Sequence, residues 1–445
     1  MKCLILAAGR GTRLSSKGLP KPLVSVLGKP LIERVILTAK ASGITSFLVV
    51  TGFKGEEVRA FLDLLQEREN ISITHVINEE WDKENGVSVL CTEEHVQGPF
   101  LLTMCDHLLP QSAFEKMLKI HLNNDEVALL VDRDLSNFSH SDLEEATKVV
   151  VREGKVVQIG KDLTQYNGID TGLFLCGESI FEALKRAQSD GDTTLSAGIR
   201  LLASEGRVRA VHGPEEPWFD IDDHRSIEKA ERQLLRELKK ATDGPVSRYI
   251  NRPVSLRITR YLINTPLTPN QLSFLSFLAA VVAGGVFALK GYAALVIGAV
   301  LAQFSSILDG CDGEVARLKS QTSEFGGWFD AVLDRYADAF VLLGLTIHVL
   351  WEGPTLGAVL AGYFSVSGSL INSYTAHKYD SYLRDKLGNR AVTFRLGRDV
   401  RIFLIFLGAL LNRVLATLVV LAVITNLENI RRIWVLYREW SGKKE

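Results

Sequence analysis

Asp309, Asp312, Asp330 and Asp334 form the pattern of greatest chemical content in this 445-residue chain. The first two lie three residues apart at the end of one apolar run, and the last two four apart at the start of the next, so each pair shares a helix face. Acids bordering apolar helices are costly and are functional by default. Two such pairs facing each other make an oxygen cage for a divalent ion such as Mg²⁺, Mn²⁺ or Ca²⁺. Gly313, Ala316 and Gly326, interleaved with them, allow helices and a nucleotide to approach closely. Asp338 follows one turn later, with Arg335 or a loop arginine as its expected partner. Lys378, Arg395, Arg398 and Arg401 fall at the mouths of the later helices, either as a phosphate pocket for an acceptor or as charges that only set orientation. Arg398 and Arg401, spaced i, i+3, are the preferred pair.

A second constellation opens the chain. Lys2 to Ala8 is an apolar run of strand length that ends in Gly9-Arg10-Gly11-Thr12-Arg13-Leu14, with Pro20-Lys21-Pro22-Leu23 just beyond. Glycines let backbone N–H groups approach a polyphosphate, and Arg13 and Lys21 supply the charge that neutralises it. The third glycine of the dinucleotide fingerprint and the Gly-Lys-Ser/Thr of the P-loop are both missing. Asp106 ends the apolar strand Leu101–Cys105 and so opens onto the crevice at the carboxyl edge of an α/β sheet. Asp220 and Asp222 share one face of a strand, so alternation does not separate them; only depth along the strand can, and Asp220 is favoured. Lys161, after the expected hairpin 149–159, either reaches a sugar phosphate or is solvated.

These residues need two different scaffolds. Through about residue 243 short apolar runs alternate with polar segments, as in a soluble α/β domain, and after about 266 long apolar stretches dominate. We divide the chain into 1–230, a cytosolic domain; 231–266, a linker with an interfacial helix; and 267–445, a transmembrane domain. Candidate spans lie at 269–289, 291–310, 327–351, 354–377, 399–412 and 413–431, most of them long enough for roughly 30 Å of hydrocarbon. The last two, split at Asn412 and Arg413, could instead be one helix, giving five. The segment from Lys378 to Arg401 and the tail after Arg431 are rich in Lys and Arg, which places them in the cytoplasm. Six spans then put both termini inside. Ser247 to Asn264 alternates apolar residues with Arg248, Arg252, Arg257 and Arg260, as in a helix whose arginines reach lipid headgroups, with a solvated linker helix as the alternative. Met1 to Gly9 is too short an apolar run for a signal peptide, so the N-terminal domain is expected in the cytosol. A net charge of −1 argues against a nucleic-acid partner, and five scattered cysteines against a disulfide framework or zinc cluster.

The N-terminal motifs, taken together, resemble the signature of the sugar-phosphate nucleotidyltransferases. That resemblance covers about residues 1–230 and implies a Rossmann-like α/β domain. It implies that Ala8, Gly9, Gly11, Asn85 and Ser88 meet the nucleotide, that Arg13 and Lys21 are catalytic, and that Asp106 and Asp220 hold Mg²⁺. It also makes Tyr166 to Gly172 a sugar-binding turn. Asp-x2-Asp-Gly-x2-Ala-Arg-x8-Gly-x3-Asp-x3-Asp, from Asp309 to Asp334, resembles the full signature of the CDP-alcohol phosphotransferases, six-helix membrane enzymes that are usually dimers. By that resemblance Asp309, Asp312 and Asp330 bind metal, Gly313, Ala316 and Arg317 meet CDP, and Asp334 is the general base, itself facing the metal. Thr268-Pro269-Asn270 matches the family's helix entry and is physically an N-cap with proline at the first helical position.

The order of the two domains resembles the fused inositol-1-phosphate cytidylyltransferase and di-myo-inositol-phosphate-phosphate synthases of heat-loving prokaryotes. This implies CTP, inositol 1-phosphate and CDP-inositol as substrates, Mg²⁺ or Mn²⁺ in both sites, a homodimer through the membrane domain, and a multi-pass protein among membrane lipids. Two alternatives stay open at this point. A phospholipid synthase would show a lipid-wide groove between helices, and a catalytically dead nucleotide-binding N-terminal module would tolerate loss of Lys21 or Asp106.

Overall fold

Lys2–Ala7 is apolar at every position after its first, which suits a strand covered on both faces. In the computed structural model its alternate side chains enter two separate cores, Leu4 and Leu6 one, Cys3, Ile5 and Ala7 the other. The structure describes residues 1–14, 18–239, 243–387 and 397–441, the side chains of 137, 377–387 and 439–441 excepted. Lys378 and Arg395 of the expected phosphate pocket therefore lie outside the described side chains. Two units are present, Met1–Gln233 and Leu234–Glu445. The segment read from sequence as a linker falls almost wholly in the second.

The first unit is built on a nine-stranded sheet in the order 72–77, 46–51, 2–7, 100–104, 168–176, 127–132, 208–212, 155–160 and 148–152. The first four strands are parallel, whereas Gly168–Cys176 runs antiparallel to both neighbours, so the α/β sheet is mixed. Parallel pairing of Lys2–Ala7 with Phe100–Met104 brings the glycine loop and Asp106 out at the same carboxyl edge. Lys148–Arg152 and Lys155–Gly160 form the expected hairpin, with Glu153 and Gly154 at φ 50° and 75° in its two-residue turn. The expected turn at Tyr166–Gly172 is mostly strand: Gly168 begins a nine-residue strand whose register shifts between Asp170 and Phe174.

The second unit is helical. After Arg252–Leu262 come Pro269–Phe287, Tyr292–Leu318, Glu324–Glu352, Leu356–Leu387, Arg398–Leu410 and Val414–Ser441. Thr268 caps the first of these six in a capping box with Gln271, followed by Pro269. Asn412, at φ 55°, breaks the chain between the last two, which are separate helices. Among the described residues three helices, 269–287, 292–318 and 414–438, are long and apolar enough to span a bilayer. Arg398–Leu410, at 13 residues, is about 20 Å long and falls short. Phe274, Leu278, Val282, Ile297, Val300 and Phe304 are exposed, while Ser273, Ser276, Gln303, Ser305 and Ser306 are buried. Polar side chains turned inward beneath an apolar outer face suit a lipid surrounding, and this is a membrane protein.

Two helices cross closely at Gly284 and Gly344, where a Cβ on Gly344 would run into the Gly284 carbonyl oxygen. Among the described residues no neighbouring helix comes close to Gly313, whose Cβ would meet only Arg317 Nη1 at 3.4 Å.

The juxtamembrane segment also departs from expectation. A π-helical turn, Ser247–Asn251, leads into Arg252–Leu262, and Arg252, Ser255 and Thr259 form a buried polar stripe. Arg248, Arg257 and Arg260 are exposed, but Arg252 turns inward because a buried carboxylate, Glu314, waits for it.

Candidate functional site

In the first unit Pro20 and Pro22 flank Lys21 at the start of a 3₁₀ turn, Lys21–Leu23. Its ammonium lies 2.5 Å from Asp106 Oδ2 and 2.6 Å from Asp222 Oδ1. Gly11, at φ 62°, lets the loop pass this side chain, since a Cβ there would lie 2.5 Å from Lys21 Cβ. Burial disfavours the ammonium, but the two carboxylates overcome this and hold the Lys21 pKa above its ordinary value. Burial likewise pushes Asp106 upward, and Lys21 with His107 outweighs it, leaving the carboxyl below its usual range. Lys21 is therefore a fixed cation at the carboxyl edge of the sheet.

A crevice of about 440 Å³ opens beside it, lined by Arg10, Gly11, Thr12, Arg13, Lys21, Trp81, Asp82 and Asp222. That volume suits a nucleotide-sized ligand. Arg13 extends along the rim to Glu145 at 2.8 Å, both largely exposed. Arg10, lying 5.4 Å over the Phe53 ring, and Trp81, edge-on to the same ring, add a wall that sequence did not single out. Ala8 is buried at the strand end, its carbonyl accepting from Phe53 N, and Gly9 is exposed. The exposed Asn85 and the buried Ser88 are both engaged by other parts of the domain. Asn85 Oδ1 accepts from Leu195 N at 2.9 Å, and the buried Ser88 hydroxyl accepts from Asn78 Nδ2 at 2.9 Å, so neither lines the crevice. Lys161 is exposed and offers only its carbonyl, to Lys148 Nζ.

Asp220 and Asp222 part company because the strand stops between them. Phe219–Asp220 pairs with His107–Leu108, setting Asp220 directly across from His107. Beyond it the backbone N–H groups of Asp222 and Asp223 donate to the Ser226 hydroxyl, and this turn aims Asp222 at Lys21. Oxygen and nitrogen atoms of Asp106, His107 and Asp220 lie within 4.8 Å of one another. Asp106 Oδ1 and His107 Nδ1 are buried without hydrogen-bond partners, so this set fits a divalent ion.

In the second unit Asp309, on Tyr292–Leu318, meets Asp330 and Asp334, on Glu324–Glu352, with ligand atoms within 4.8 Å. Asp312 is the more buried partner, and its carboxylate accepts from the Ser273 hydroxyl. Arg398 threads this acidic group: Nη1 lies 3.0 Å from Asp309 and 2.8 Å from Asp334, and Nε donates to Asp338 at 3.0 Å. Nη1 and Asp309 Oδ1 are close but misaligned for hydrogen bonding, which leaves both with capacity for a ligand. Arg401 donates to Asp338 at 2.7 Å, Ser373 at 3.0 Å and Asn372 at 3.3 Å. Asp338 is thus held by both arginines, while Arg335 pairs at 3.9 Å with Asp334. Arg317 donates to the Leu238 carbonyl at 3.3 Å, and its Nε is buried and unpaired. Ala316 is buried behind it. Gly326 lies against Ser323 and Asn270.

Residues 3–205 match the MobA-like NTP transferase domain and residues 266–428 match the CDP-alcohol phosphatidyltransferase family. The "Bifunctional IPC transferase and DIPP synthase" of Rubrobacter xylanophilus is 37% identical over 437 residues, covering 98% of this chain and 96% of that one. The chain belongs to the bifunctional IPC transferase and DIPP synthase family. The Aquifex aeolicus member is 36% identical over 449 residues, with 99% and 98% covered. The structure of the inositol-1-phosphate CTP transferase from T. maritima aligns with a TM-score of 0.48 at 23% identity, over 55% of this chain and 98% of that one. Like its family, the protein is an enzyme that joins a nucleotidyltransferase domain to a helical CDP-alcohol phosphotransferase domain.

Sequence reasoning missed His107, Trp81, Arg252 and Glu314. Glu314 had a readable signal, a third acid, one residue past Gly313, in the same apolar helix as Asp309 and Asp312.

Proposed function

We propose that the first unit makes CDP-inositol from CTP and inositol 1-phosphate and that the second transfers phosphoinositol from it to another inositol 1-phosphate. The observation that carries this reading is a family match running the length of the chain, through both signatures in order. The product of the first reaction is the substrate of the second.

In the first step an inositol phosphate oxygen attacks the α-phosphorus of CTP, and the bond to the β-phosphate breaks to release pyrophosphate. Lys21 and Arg13 bind and align the phosphates, with Gly9 and Gly11 bringing backbone N–H groups close. Trp81 and Arg10 flank the nucleoside, in place of the expected Asn85 and Ser88. Asp106 and Asp220 would hold Mg²⁺, and Asp222 orients Lys21. In the second step Asp334 takes the proton of the acceptor hydroxyl, which attacks the phosphorus bearing inositol and expels CMP. Asp309, Asp312 and Asp330 would hold the ion there, with Asp334 at its edge; Arg317 and the small Gly313 and Ala316 receive CDP. Arg398 and Arg401, with Lys378 and Arg395, bind the acceptor phosphate. At both sites the divalent ion, when bound, neutralises phosphate charge as it develops. Six membrane spans with both termini in the cytoplasm, and a dimer through the membrane unit, complete the proposal.

The test is incubation of the detergent-solubilised protein with Mg²⁺, CTP and radiolabelled inositol 1-phosphate without lipid. A water-soluble di-inositol product with CMP and pyrophosphate is expected. Accumulation of CDP-inositol alone would move the second unit to another acceptor class, and no turnover would remove inositol from the reading.

A further inference from the structure

We infer that His107 is a third, nitrogen ligand to the divalent ion of the cytidylyltransferase site, beside Asp106 and Asp220. The inference rests on reading this unit as a metal-using nucleotidyltransferase and adds to it a donor that the two-carboxylate signature does not contain. Three independent features place the imidazole there. The two-stranded ribbon sets His107 and Asp220 opposite each other in register, which brings Nε2 to 3.5 Å from Asp220 Oδ2. Nδ1 stands 3.4 Å from Asp106 Oδ1, and both atoms are buried with no hydrogen-bond partner. The ring has a built seat: Gly172, at φ 72°, lacks the Cβ that would lie 2.8 Å from Nδ1, and the Trp218 ring packs at 5.8 Å.

Buried polar atoms left unpaired are rare, and a pair of them aimed at a common space marks a missing partner. A cation accepting Asp106 Oδ1 and one ring nitrogen supplies it. Carboxylate oxygens alone suit Mg²⁺ and Mn²⁺, whereas an added imidazole nitrogen shifts preference away from Mg²⁺ toward transition metals. The membrane-unit cluster of Asp309, Asp330 and Asp334 offers oxygen only. Nitrogen ligation therefore distinguishes the two sites in one protein.

The probe is Mn²⁺ alone, added to metal-free full-length protein in detergent and read by electron spin-echo envelope modulation. We expect ¹⁴N modulation that becomes a ¹⁵N pattern when the unmutated protein is labelled with ¹⁵N-histidine, and that disappears in His107→Gln. Mn²⁺ bound without nitrogen modulation, or modulation unaffected by the label, overturns the inference while leaving the cytidylyltransferase reading intact. The labelling measurement needs no variant to fold. If Asp106→Asn leaves the number of bound Mn²⁺ ions unchanged, the metal site itself, and with it the reading beneath this inference, is wrong.

Discussion

Arg252 Nη1, on the juxtamembrane helix, donates at 2.6 Å to Glu314 Oε1, on the helix that carries Asp309 and Asp312. Ser255 and Thr259 each donate to the same carboxylate at 2.6 Å, and the other side of the guanidinium holds Asp243 through two bonds of 2.9 Å. Glu314 is fully buried, five residues beyond Asp309 and two beyond Asp312 on one helix. The juxtamembrane segment is further tied to Asp399, beside Arg398, through Ser247 N at 2.8 Å. One segment therefore braces both the helix that carries Asp309 and Asp312 and the helix that carries Arg398.

Glu314→Leu or Arg252→Met alone leaves a buried charge unpaired and should cost about 3–5 kcal/mol, and the double variant should regain only part of it, because Asp243 still loses its two bonds to Arg252. Thermal unfolding in detergent would show this. A double variant as unstable as the worse single one would mean that the pair is not a unit. Cytidylyl transfer should change less than twofold in all three.

Arg398 contacts three carboxylates through two nitrogens, Nη1 and Nε, on different edges of the guanidinium, which a lysine's single point charge does not reproduce. Arg398→Lys should lower phosphoinositol transfer from supplied CDP-inositol by at least about 100-fold, a loss of roughly 3 kcal/mol in transition-state stabilisation. Near-normal rates in the lysine variant would sink its role with the acceptor.

Asp220 and Asp222 should separate kinetically. Asp220→Asn should raise the half-saturating Mg²⁺ for CDP-inositol formation about tenfold or more, because it removes a ligand. Asp222→Asn should act mainly on the KM for CTP, because it releases Lys21. Identical effects of the two on Mg²⁺ dependence would contradict the division.

His107 carries the pH signature of the metal-free first unit. Burial lowers its pKa, but Asp220 and then Asp106 overcome this and push it up to about 9. A raised folded-state pKa means that protonation favours the folded form. The stabilisation is complete below the unfolded value near 6.5 and is lost as pH rises through about 9. Melting temperature without metal should thus fall by several degrees across that interval, and His107→Gln should flatten the fall. Tryptophan fluorescence, with Trp218 against the His107 ring, provides the readout.

Motifs lying within single elements were legible in the sequence, since their geometry follows from the period of a strand or helix. Lys2–Ala7 with its glycine loop, Asp309 with Asp312, Asp330 with Asp334, and the Thr268 cap all belong to this class. The split of the chain into an α/β part and a membrane part followed from the change in apolar run length. Choices between residues far apart in the chain were decided only by tertiary structure. Lys21 selects Asp222 because the strand ends at Asp220 and the next turn re-aims the backbone, which period-two alternation does not encode. Ser88 turns inward to accept from Asn78, and the exposed Asn85 is engaged by Leu195 N, bonds that no local period encodes. Arg252 looks from sequence like one of four equivalent arginines, and it alone is buried because helix rotation presents it to Glu314. A sequence states which side chains an element offers to each face; the rotation and depth of the neighbouring element decide which of them meet.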